Sequence, residues 1–220
     1  MKLSFLLLIL IICIVLFSCS KKTLSVNDTK ATLTSPAHTV VFLGNSITEG
    51  WSNHHPEFFE NKAYINKGIS GQTTDEMLGR FQQDVIDLKP NAVVILAGTN
   101  DIVQNNGYVP LDTIASNIFR MAELAKQNDI KVILCAITPA YDYRWKPGLN
   151  PNIKIPKVNA MIKKYAQENN IPFVDYFTAM ANLKNGLIEA YGYDGVHPNK
   201  AGYLVMEPLV ENAINDLFNK

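Results

Sequence analysis

From residue 39 onward, short β-branched runs alternate with longer amphipathic ones, and this alternation narrows the possible folds more than any other feature of the chain. Val40-Val41-Phe42-Leu43 is a compact apolar run closed by Gly44, the pattern of a strand buried on both faces. Residues 63–66 make a weaker second run. Residues 92–97, 131–137 and 173–175 supply three more. Between them, residues 74–88, 111–127 and 157–169 read as helices. In the second of these Ile114, Ile118, Met121 and Leu124 share one face, and Lys89-Pro90 stops the first. Residues 199–217 read as a closing helix, in which Pro208 predicts a kink or a restart. Strands alternating with helices of this length demand right-handed crossovers and a parallel sheet. Two connections, 44–62 and 138–155, look long, and long connections in a compact domain usually carry function.

Composition limits what such a domain can do. The chain has 220 residues with 20 Lys+Arg against 20 Asp+Glu, so it lacks the basic excess that marks nucleic-acid binding. Hydrophobic residues make up 47%, which excludes a disordered chain, and the length fits one domain. Part of that apolar content lies at the N-terminus. Lys2 precedes an apolar stretch, residues 3–17, interrupted only by Ser4. The stretch is shorter than the ~20 residues a membrane-spanning helix needs, and it fits an export signal. It ends in Leu16-Phe17-Ser18-Cys19, which resembles a bacterial lipobox. The expectation is a lipoprotein signal peptide over 1–18, lipid on Cys19 and a flexible tether over 19–37. The globular domain then spans 38–220, and the location is the cell envelope, with the membrane reached through the anchor. Cys13 leaves with the signal, and Cys135, inside an apolar run, reads as a buried inert thiol.

In open parallel sheets, ligands bind at the carboxyl ends of the strands. Gly44-Asn45-Ser46-Ile47-Thr48 follows the first strand, and Gly68-Ile69-Ser70-Gly71 the second. Gly98-Thr99-Asn100-Asp101 follows the third, and Asp194-Gly195-Val196-His197-Pro198 lies beyond the fifth. One end of the sheet thus collects the parts of acyl transfer. Ser46 is a nucleophile if a base takes its proton, and His197 is the base. Asp194 is spaced to orient the imidazole. The oxyanion needs fixed donors, which Ser46 N–H, Gly71 N–H and the Asn100 amide can supply.

With these blocks in this order, the chain resembles the SGNH (GDSL) hydrolase superfamily over nearly the whole domain. The resemblance implies a flavodoxin-like three-layer α/β/α sandwich with five parallel strands. It also implies a serine esterase that works through an acyl-enzyme and needs neither cofactor nor metal. By position, Ser46, Asp194 and His197 would be catalytic, and Ser46, Gly71 and Asn100 would form the oxyanion hole, with Gly68 serving the turn. Asn45 departs from the family motif, which has Asp there. The expected substrates are short-acyl or acetyl esters of lipids or glycans. A different class, a catalytically silent glycan-binding lipoprotein on the same scaffold, would carry the same fold. Tyr141, Tyr143 and Trp145 in the 138–155 connection are either substrate wall or packing. His54-His55 lacks the H-E-x-x-H pattern of a zinc site.

Overall fold

The computed structural model describes residues 38–60 and 62–219. The predicted signal peptide, Cys19 and the tether lie outside the described residues. Five strands, β1 (Val40–Gly44), β2 (Tyr64–Gly68), β3 (Ala92–Leu96), β4 (Lys131–Cys135) and β5 (Phe173–Val174), form one parallel sheet in the order β2-β1-β3-β4-β5. This is the flavodoxin-like order, with its switch point between β1 and β3. Among the described residues eight α-helices follow in chain order: α1 (Ser46–His54), α2 (Thr74–Gly79), α3 (Phe81–Asp84), α4 (Thr99–Val103), α5 (Leu111–Gln127), α6 (Pro151–Glu168), α7 (Tyr176–Met180) and α8 (Lys200–Phe218). Among the described residues no helix is long and apolar enough to cross a membrane.

Strand alternation divides the core in two. Val41, Leu43, Val93, Ile95, Val132 and Leu134 point to one face, where α2, α3, α5 and α6 pack with Met77, Phe81, Ile118 and Ile162. Val40, Phe42, Val94, Leu96 and Ile133 point to the other, against Trp51 of α1 and Met206 and Val210 of α8. Both faces are covered, so the central strands β1 and β3 are apolar throughout, whereas the half-buried edge strand β2 carries Asn66 and Lys67. Cys135 is buried in the second layer, and that burial pushes its thiol well above the ordinary range.

Three elements differ from the sequence expectation. The helix read over 74–88 is broken at Arg80, whose backbone leaves the helical region at φ −97, ψ 2. The break lets the guanidinium reach Gly44 O and Lys67 O, each at 2.9 Å, with Asp84 Oδ2 at 2.7 Å. The connection 44–62 is mostly helical, because Asn45 caps α1: its Oδ1 accepts Ile47 N–H at 3.0 Å. The helix read over 157–169 begins earlier, at Pro151. Pro151 needs no N–H at the first position, and the Asn152 carbonyl that Pro156 leaves unpaired accepts from Asn185 Nδ2 at 3.1 Å. In α8 there is no restart, since one helix runs through Pro208. The carbonyl that Pro208 orphans belongs to exposed Leu204, where water can satisfy it.

Candidate active site

The site is assembled at the carboxyl ends of β1, β2 and β3. Ser46 opens α1 immediately after β1. Gly44, paired with Gly68 and Leu96, puts that turn beside the ends of both neighbouring strands. Gly68 permits the close seat of α1, because a Cβ there would lie 2.0 Å from Glu49 N. Its own N–H is taken by Asn66 Oδ1 at 2.8 Å, so Gly68 serves the turn. Gly71 follows in a left-handed conformation, φ +81, which favours glycine.

Hydrogen bonds hold the Gly71 turn from both sides. Ser70 N–H and O–H donate to the Glu49 carboxylate of α1. Asn105 Nδ2 donates to Gly71 O at 2.9 Å, and Asn100 Nδ2 donates to Gln72 O at 3.0 Å. Asn100 is nearly buried at the start of α4 and spends one of its two amide N–H groups this way. Among the described residues the N–H groups of Ser46 and Gly71 have no hydrogen-bond partner. Three donors are thereby left free on segments tied to one another. Asp101, next to Asn100, is buried and accepts Thr74 N–H and O–H, anchoring α4 to α2. Burial without a cation raises its pKa.

His197 reaches the serine from the loop before α8. Ser46 Oγ lies 2.9 Å from His197 Nε2, and His197 Nδ1 lies 2.7 Å from Asp194 Oδ2. A carboxylate can only accept, so Nδ1 carries a proton, and in the neutral ring Nε2 is then the acceptor facing the serine hydroxyl. Asp194 Oδ1 also accepts the N–H groups of Val196 and His197 at 2.9 and 2.8 Å. Burial opposes the charge on Asp194. The hydrogen bonds from His197 and Val196 outweigh it and hold the carboxyl below its usual range.

Aromatic rings surround the imidazole. Trp145, 52% exposed, lies 6.0 Å from it and Tyr193, 60% exposed, 5.7 Å, both stacked. Tyr141 is exposed and, with Arg144, Leu187 and Asp194, lines a cavity of about 290 Å³. Tyr143 is fully buried, with its hydroxyl 3.4 Å from Thr99 O; it packs in the core and backs the same cavity from beneath the loop. Tyr193 was missed by sequence reasoning, although it directly precedes Asp194. His54 and His55 diverge: the first lies near Tyr193 and the second bonds Glu207. Among the described residues no cluster of three metal-ligating side chains occurs.

Known proteins share this fold. Residues 42–205 match the GDSL-like Lipase/Acylhydrolase family. A solved GDSL-like lipase from Bacteroides thetaiotaomicron VPI-5482 superposes with a TM-score of 0.81 at 47% identity, covering 82% of this chain and 89% of that one. A second solved chain, from Bacteroides fragilis NCTC 9343, gives 0.80 at 51% identity over 82% and 88%. An acetylxylan esterase of Geobacillus stearothermophilus is 31% identical over 156 residues, 64% of this chain and 67% of that protein. A family match across the sheet and both sides of the Ser46–His197 contact makes the conclusion plain: the chain belongs to the GDSL-like lipase/acylhydrolase family and is an SGNH-type carboxylic ester hydrolase.

Proposed function

We propose that Ser46, His197 and Asp194 carry out the hydrolysis, with Ser46 N–H, Gly71 N–H and Asn100 Nδ2 as the oxyanion hole. Ser46 Oγ attacks the ester carbonyl carbon as its proton passes to His197 Nε2. The carbonyl oxygen becomes an oxyanion held by the three donors. Collapse breaks the bond to the alcohol oxygen, which takes the proton from Nε2, and leaves an acyl-serine. Water then adds to the acyl carbon, giving its proton to Nε2. The acid departs as the proton returns to Ser46. Asp194 holds the tautomer and stabilises the imidazolium. The observation that carries this reading is the unbroken chain from Ser46 Oγ through the imidazole to Asp194, at 2.9 and 2.7 Å. The test is Ser46→Ala: hydrolysis of p-nitrophenyl acetate and labelling by a fluorophosphonate should both vanish while the fold persists. Near-wild-type turnover by the purified variant would end the assignment.

The substrate in this proposal is a short-acyl ester, above all an acetyl group on a glycan. Two observations support it. The relative from Geobacillus stearothermophilus is an acetylxylan esterase. Exposed Tyr141, Trp145 and Tyr193 offer apolar faces with polar edges, which suit sugar rings. Trp145→Ala should raise KM for acetylated oligosaccharides while leaving melting temperature and p-nitrophenyl acetate turnover nearly unchanged. A shift in preference along p-nitrophenyl esters from acetate to palmitate, with no change on sugars, would point to lipid instead. The sequence around Cys19 supports a cell-envelope location with a lipid anchor.

A further inference from the structure

Glu207 is a buried carboxylate that the reaction does not use. It is 8% exposed at the seam between α8 and α1. Its Oε1 accepts Trp51 Nε1 at 3.0 Å and lies 2.6 Å from His55 Nδ1, while His55 Nε2 lies 3.6 Å from Glu57 Oε2. Burying a carboxylate is costly unless donors converge on it, and here both donors come from one helix, α1, and its C-cap. That helix carries Ser46 at its first position, and α8 starts at Lys200, just past His197. The Ser46–His197 contact therefore depends on how α1 sits against α8.

We infer that Glu207 is a positioning residue, setting the orientation of the nucleophile helix through Trp51 and His55. The inference rests on the assignment of Ser46 and His197. Near the serine, α8 holds α1 through Tyr203 O–H, which donates to Ile47 O at 2.8 Å. A backbone carbonyl lies close to the helix axis, so this bond fixes the position of α1 but resists rolling weakly. The Trp51 indole and His55 imidazole reach far from the axis, and Glu207 grips both. On the β2 side, Glu49 accepts from Ser70 and Ser52 Oγ from Asn66 Nδ2 at 2.7 Å, so Glu207 sets the roll of α1 from the α8 side; a roll of about 15° carries an atom about 4 Å from the axis through roughly 1 Å. A displacement of that size costs roughly 100-fold in a reaction step.

Glu207→Leu tests this because it removes the single oxygen that Trp51 Nε1 and His55 Nδ1 share, at similar size. Trp51→Phe removes the indole donor and part of a buried ring, and carries the same test should Glu207→Leu fail to fold. At 25 °C, in folded protein, kcat on p-nitrophenyl acetate and the rate of fluorophosphonate labelling should fall together by roughly 10- to 100-fold, with KM within about twofold. A lower melting temperature with unchanged kcat and labelling rate would make Glu207 merely structural and overturn the inference. A change in KM alone would overturn it too. Wild-type protein is the control: if it were not labelled at Ser46, the catalytic assignment itself would fall, and the inference with it.

Discussion

Asn100 illustrates how little separates a turn residue from a transition-state donor. One amide N–H holds Gln72 O at 3.0 Å and so stiffens the segment that carries Gly71; the other is the proposed oxyanion donor. An oxyanion exists only in the transition state and the intermediate, so its donor acts on kcat. Asn100→Ala should lower kcat by roughly 10²–10³ with KM little changed, measured by steady-state kinetics on a small acetate ester. A pure KM effect would make Asn100 a ground-state binding residue. Asn45 shows the converse. From sequence it is a departure from the family motif, and which backbone it holds is open. The fold makes it a buried helix cap, a task that Asn performs as well as Asp.

At the scale of elements, Arg80 does most to hold the site end of the sheet together. Its guanidinium binds carbonyls at the ends of β1 and β2, the Asp84 carboxylate and the Gln72 side chain. Burial opposes the charge on Asp84, and hydrogen bonds from Arg80 and Lys67 overcome it, lowering its pKa. Arg80→Lys keeps the charge but loses the fork that serves two carbonyls at once. It should cost about 2–3 kcal/mol, a fall of roughly 5–10 °C in melting temperature by circular dichroism. An unchanged melting temperature would refute this role. The break at Arg80 could not be read from periodicity, because Met77, Phe81 and Val85 keep helical spacing across it. α5 was readable from end to end, since its repeating apolar face is long. α1 was hidden, because its buried residues are only Ile47, Thr48 and Trp51, too few to set a period.

For the whole molecule, the proposed anchor makes a prediction that the domain cannot. Cys19→Ala should release the protein from membranes on fractionation and change the mass of the processed form; unchanged partitioning would refute lipidation. The domain itself divides cleanly between what is local and what is not. Alternating apolar runs determined a parallel α/β sheet, and the polar blocks that end them determined the chemistry, because strand burial, helix periodicity and loop composition are encoded within short windows. Only the tertiary structure decided which runs became neighbours. The order β2-β1-β3 sets Ser46 beside segments from two other crossovers, and the loop before α8 returns His197 to it. It also decided that Tyr143 is core while Tyr193 is exposed at the imidazole, and that His55 meets Glu207. The physical reason is that side-chain burial and pairing between distant residues depend on how the helices cross the sheet, which no short window of sequence contains.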